Sequence, residues 1–235
     1  MKIEVLYPEI CCLFGDKANM RYFQLCLPDA EFITTPVSEQ PRFLTEDVDM
    51  VYFGSCSESN QEKIISRLKG YESRIKELID KGVVFLMTGN SFEIMGNYIE
   101  KTDGEKIEAL GIMDFYAKRT IPKRYNSLFL GKFGDMDIVG YISRFSHTYD
   151  VKSEDEFITV KKGFGSFVES KNEGVRRNNL FGTYLLGPFL IQNPDFTAYL
   201  LSLLGVEKPQ LAFEGDIRKA YSIRLEEFNR DIVFE

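Results

Sequence analysis

Tryptophan is absent from the 235 residues, histidine occurs once, and the four cysteines include no CxxC pair. With His147 the only imidazole, any mechanism that needs a histidine base must use it or do without. Cys11, Cys12, Cys26 and Cys56 lack the spacing and the histidine neighbours of a zinc site, so reduced thiols are expected, with no metal and no cofactor. Long apolar runs are missing as well: none approaches the roughly 20 residues that a membrane-spanning helix needs. The first residues, Met1 to Tyr7, carry Lys2 and Glu4 within a strand pattern, unlike a signal peptide. These absences predict a soluble, cytoplasmic chain with no membrane insertion. Positive charge is also scarce: 29 Lys and Arg against 36 Asp and Glu leave a net charge of −7. Neutralising a phosphate backbone needs a basic surface, so nucleic acid is excluded as a partner, the stretch Lys118 to Arg124 being only a local exception.

What is present suits one large globular domain, with or without a small appendage. The hydrophobic fraction is 44%, and 20 Phe and 12 Tyr can fill a core without any cofactor. Lys2 to Tyr7 reads as a first strand, and Asp16 is placed to cap a helix over 17–27 that Pro28 ends. Glu31 to Thr35 and Val48 to Phe53 read as the next strands. A helix is predicted from Asn60 to Lys81, with Ile64, Leu68, Ile75, Leu78 and Ile79 along one face. After Gly82 comes VVFLMTGNSFEIMG, residues 83–96: an apolar run with no solvent face, a sharp turn, and apolar spacing that predicts a helix from about Phe92, with Ser91 at its cap. In an α/β protein the turn after such a strand lies at the carboxyl edge of the sheet, where ligands bind and nucleophile elbows sit.

Beyond Gly96 the pattern changes. Ile112 to Ala117, Ser127 to Phe133, Asp137 to Phe145, Glu156 to Val160 and Asn179 to Leu185 are strand-like and separated by turn residues, which predicts an antiparallel or mixed extension of the sheet. Two helices close the chain. The first starts at Asn193-Pro194, and the second carries Phe213, Ile217, Tyr221 and Phe228 on one side.

Four separated stretches carry a family likeness. Leu6-Tyr7-Pro8 with Phe14 to Asn19 resembles an LYP…YGDxGN opening, Gly54 to Gln61 stands where a glycine-rich GGGQDxEQ loop would, Gly89 to Gly96 stands at a C-x-G-Y-Q-L-L-G elbow, and Gly182 to Pro188 follows GTYLHGP. Asp103-Gly104 and Leu110 to Asp114 add a DG…GLGLLD segment. In this order they resemble the triad-type (class I) glutamine amidotransferases, in the cobyric-acid-synthase-like branch that includes the glutaminase subunit of lipid II isoglutaminyl synthase. The resemblance covers about residues 1–205 and implies a flavodoxin-like α/β fold: a mostly parallel sheet flanked by helices, with an antiparallel β extension in the C-terminal half. Residues 206–235 would form a helical extension packed on that same domain.

The resemblance further implies a cysteine at the elbow that attacks the glutamine amide, a histidine that handles the proton, and backbone N–H groups for the oxyanion. Here the cysteine position is Gly89 and the histidine position is Leu186, and neither residue can do that chemistry. Met87 and Ser91 replace small supporting residues, and Gly54-Ser55-Cys56 shortens the glycine run. Thr88 and Ser91 read as turn formers. Cys56 is the candidate substitute nucleophile, and Cys11, Cys12 and Cys26 read as small apolar fillers. His147 reads as a partly exposed strand-end residue. Arg119, Lys123 and Arg124 form a basic cluster, Arg124 standing near the family's arginine for glutamine handling or as a solvated loop cation. Glu93 stands at the family's helix glutamine, as a ligand contact or a first-turn charge. Ligand contacts are therefore expected from Gly54, Ser55, Asn90, Ser91, Glu93 and Arg124.

Three functions are consistent with these residues. The first is a subunit that has lost glutaminase activity and serves as the binding partner of a Mur-ligase-like synthetase. The second is an active glutaminase with a relocated nucleophile such as Cys56. The third is a sensor that holds glutamine or a related small molecule in the old pocket.

Overall fold

The computed structural model describes residues 1–230, so residues 231–235 of the expected extension lie outside it. In chain order the strands are β1 (Lys2–Leu6), β2 (Glu31–Thr35), β3 (Met50–Phe53), β4 (Val84–Thr88), β5 (Tyr98–Glu100), β6 (Lys106–Glu108) and β7 (Tyr116–Arg119). They continue with β8 (Tyr125–Phe133), β9 (Met136–Arg144), β10 (Ser146–Tyr149), β11 (Glu156–Lys162), β12 (Asn172–Arg177) and β13 (Leu180–Thr183). The helices are α1 (Asp16–Cys26), α2 (Glu58–Leu68), α3 (Glu72–Asp80), α4 (Phe189–Gln192), α5 (Pro194–Leu203) and α6 (Glu214–Phe228).

The main sheet has nine strands in the order β2-β1-β3-β4-β13-β12-β11-β8-β9. From β2 to β13 every pairing is parallel, and from β13 to β9 every pairing is antiparallel. This is the doubly wound α/β arrangement with an antiparallel extension. Every residue of β3 and β4 is buried, as strands covered on both faces must be, which is why their sequences show no alternation. Gly182 on β13 permits a close approach: a Cβ there would stand 2.5 Å from Cβ of Phe92, so the segment after β4 can lie flat on the neighbouring strand.

Several expectations are corrected. The long helix over 60–81 is two helices, α2 and α3, broken around Gly70, whose φ of 93° leaves the helical region. Asp16 does not cap α1: Gly15 occupies that position with no side-chain cap, and Asp16 is a buried residue within the helix. The segment after β4 is a 3₁₀ turn over Gly89–Met95 in place of an α-helix, and Ser91 donates to the Thr88 carbonyl oxygen at 2.9 Å, so it caps nothing. The strand-rich middle does not all extend one sheet, because β10-β7-β5-β6 form a second, four-stranded sheet.

Among the described residues three helices, not two, follow β13. Phe213 is 67% exposed in a left-handed conformation just before α6 and takes no part in that helix's buried face, which is built on Ile217 and Phe228. α6 packs against α4 and α5, Tyr221 donates to the Asp137 carbonyl oxygen at 2.7 Å, and Arg218 pairs with Asp195 at 2.7 Å. No described helix is long and apolar enough to cross a membrane.

Candidate functional site

Parallel pairing brings the carboxyl ends of β3, β4 and β13 together, and the loops that leave them enclose a cavity of about 160 Å³. Ser55 and Cys56 arrive from β3, Gly89 and Asn90 from β4, Tyr184 and Leu186 from β13, and Ser143, Arg144 and Phe145 from the end of β9. The rim holds Leu13, Phe14 and Arg124 together with Ser57 and Glu58 at the start of α2. The sequence therefore placed Ser55, Cys56, Gly89, Asn90, Arg124 and Leu186 around one space. Gly54, Ser91 and Glu93 do not line it.

Gly89 keeps the geometry of an elbow without a side chain. Its φ is +64°, and a Cβ built there would stand 2.3 Å from Cβ of Ser55 and 3.1 Å from its Cα. The room a nucleophile would need is thus taken by Ser55. That serine is tied down: its N–H donates to Asp16 Oδ2 at 2.9 Å, and its hydroxyl donates to Asp16 Oδ2 and, at 3.0 Å, to the Leu13 carbonyl oxygen. Thr88 donates to Asp16 Oδ1 at 2.7 Å, and Tyr52 stands beside both. Burial raises the Asp16 carboxyl while these donors oppose the rise. Asp16 thereby joins the start of α1 to the loops after β3 and β4.

Across the cavity Leu186 is buried and offers only methyl groups, its N–H donating to the Tyr141 carbonyl oxygen at 3.0 Å. Cys56 is buried, and its thiol is pushed well above the ordinary value by the hydrogen bond with Cys11 and by burial. A reactive thiolate needs the opposite environment. His147 gives it no base: it is 5% exposed, correcting the partly exposed reading, is absent from the cavity lining, and is held down to about 4 by burial and by Arg144.

Glu93 is neither a ligand contact nor a first-turn surface charge. It is fully buried and accepts from Gln61 at 2.8 Å, from the Tyr184 hydroxyl at 2.7 Å and from Ser146. Burial raises its carboxyl against those bonds. Arg119 likewise leaves the expected surface cluster: it is buried, pairs with Glu62 at 2.6 Å and donates to Gln61 at 3.2 Å. Arg124 remains exposed, donating to Ser143 at 3.1 Å and lying over the Phe145 ring at 4.1 Å.

Sequence reasoning missed Arg144 and Tyr184. Arg144 lies over the Tyr184 ring at 4.0 Å and donates through Nη2 to the Gly165 carbonyl oxygen. The only available signal was a cation one residue before the end of a strand-like run, which no spacing rule distinguishes from a surface residue.

Residues 2–194 match the sequence profile of the CobB/CobQ-like glutamine amidotransferase domain. The chain is 28% identical to the lipid II isoglutaminyl synthase (glutamine-hydrolyzing) subunit GatD of Staphylococcus aureus, over 76% of this chain and 72% of that protein. It is 26% identical to the GatD subunit of Streptococcus pneumoniae, over 88% of this chain and 81% of that protein. Among solved structures, a glutamine amidotransferase superposes with a TM-score of 0.55 at 14% identity, covering 87% of this chain and 99% of that one. A glutamine amidotransferase from Thermotoga maritima superposes with a TM-score of 0.52 at 10% identity, covering 95% and 92%. These two likenesses show the fold.

Proposed function

The chain belongs to the CobB/CobQ-like glutamine amidotransferase family, and from that premise we propose that it is a GatD-like subunit that has lost glutamine hydrolysis and works as the binding partner of a Mur-ligase-like synthetase. The observation that carries this reading is the 2.3 Å approach of Ser55 to the Cβ position of Gly89. A merely mutated site would leave a hole where the cysteine had been; here a neighbouring residue occupies the space and is held there by Asp16. Leu186 removes the base, and the Cys56 thiol stays protonated in its buried setting, which argues against a relocated nucleophile. A docking role is supported by the exposed apolar residues at the cavity mouth, Leu13 and Phe14, which no described element covers. The two relatives are named as subunits of a synthase, and the partnership is carried over from those names.

The test is glutamate release from L-glutamine by the purified chain, alone and mixed with a purified Mur-ligase-like synthetase. No release above the buffer rate, together with co-elution of the two proteins, is expected. Steady release that a thiol blocker or Cys56→Ser abolishes would overturn the reading.

A further inference from the structure

Two buried thiols meet at the cavity wall. Cys11 lies in the loop after β1 and Cys56 in the loop after β3, 2% and 4% exposed, and neither is in a disulfide. They belong to segments that pack backbone to backbone: the Leu13 N–H donates to the Ser55 carbonyl oxygen at 3.3 Å, and a Cβ on Gly54 would stand 2.2 Å from the Cys11 carbonyl oxygen. Gly54 is what lets the two loops close on each other. Their approach brings the Cys11 and Cys56 side chains into hydrogen-bond contact. The other thiols are placed differently: Cys12 is half-buried, and Cys26, at the end of α1, accepts from the Ala212 N–H at 3.4 Å.

A pair of thiols in contact has a reaction that a single buried cysteine lacks. An oxidised sulfur formed on one member is attacked by the other, so oxidation ends in a disulfide instead of running on to the sulfinic acid. Access makes Cys56 the first member, because it lines the cavity of about 160 Å³, ample for a peroxide molecule, and Cys11 does not. Its Sγ stands 3.7 Å from Oδ1 of Asn90, another lining residue. Burial keeps the thiol protonated at neutral pH, which makes this first step slow.

We infer that Cys11 and Cys56 are an oxidation-responsive pair, closing under peroxide to a disulfide that pins the loop after β3 to the loop after β1 and takes the thiol out of the cavity wall. The Cys56 thiolate attacks one peroxide oxygen and the O–O bond breaks, leaving a sulfenic acid and a hydroxide that takes up the proton Cys56 released. The Cys11 sulfur then attacks the sulfenic sulfur: the S–S bond forms, the S–O bond breaks, and water leaves with the Cys11 proton. Two thiols have lost two electrons and two protons, and one peroxide has become two waters.

The test treats the whole purified chain, kept folded at pH 8, with hydrogen peroxide, then alkylates, digests and maps it by mass spectrometry without reductant. A peptide pair joined through Cys11 and Cys56 is expected, two hydrogens lighter than its parts and separated by dithiothreitol, with Cys12 and Cys26 alkylated. Fragment ions of the wild-type pair assign the bridge to Cys11 or to its neighbour Cys12, whether or not a variant folds. Cys12→Ser should keep the bridge, and Cys11→Ser should lose it. Because the bridge closes a long loop between native neighbours, the oxidised chain should melt roughly 5 °C or more above the reduced one. No linked peptide, a bridge through Cys12, Cys56 converted to sulfinic acid with Cys11 still free, or a melting point unchanged or lowered by the bridge would each overturn the inference.

Discussion

At Gly89 the backbone still makes the turn a nucleophile would need, and the side chain that fills the space belongs to Ser55. Gly89→Cys alone should therefore give no glutaminase activity and should cost about 1–3 kcal/mol, from overpacking and from a left-handed φ that disfavours a side chain. Urea denaturation of Gly89→Cys against Gly89→Cys/Ser55→Gly measures this: the double variant should recover much of the loss, and equal midpoints would show that Ser55 is not the obstacle. That Gly89 and Leu186 stand at the family's cysteine and histidine positions rests on the sequence motifs alone. The contact between Gly89 and Ser55 was not legible there, since it joins loops after different strands. Arg144 was hidden for a related reason: it reaches the cavity wall through the pairing of β9 with β8, and no local sequence pattern records that.

Elements with uniform surroundings were the readable ones. β3 and β4 are apolar throughout because both faces are covered, whereas β12 reads Asn-Glu-Gly-Val-Arg-Arg and looks like a loop. The polar residues of β12 have specific work, which only pairing reveals. Glu173 is fully buried and ties β12 to β13 through Thr183, and burial raises its carboxyl to about 7 from an ordinary 4.5. A folded-state value above the unfolded one means that the native state holds the proton more tightly. This contribution to stability is complete below about pH 4.5 and is lost as the pH rises through 7, on the order of 3 kcal/mol in all. Comparing the wild type with Glu173→Gln from pH 5 to 8.5 should show the wild type losing stability relative to the variant; parallel curves would refute it. On β13, Gly182→Ala should cost about 1–3 kcal/mol in chemical denaturation, because the added methyl meets Phe92.

For the molecule as a whole, the parallel half was legible from its alternation of strand and helix, while the second sheet was not: β5, β6 and β7 are three or four residues long and carry several charges. We propose that residues 1–205 make up the amidotransferase-like unit and that the described residues after them, 206–230, are a brace across it. Tyr221→Phe, which removes the bond from α6 to Asp137, should then lower stability by about 0.5–1.5 kcal/mol, which thermal unfolding of the variant against the wild type checks. The crowding of Ser55 against Gly89 also bears on descent. In an ancestor that carried the cysteine, two Cβ atoms could not have shared that space, so the serine could settle only after the nucleophile had gone or together with it. On that reading, a single substitution to cysteine would no longer yield a usable nucleophile. On the proposed loss of the nucleophile, that order would close the way back and leave this pocket to be shaped by what it can hold.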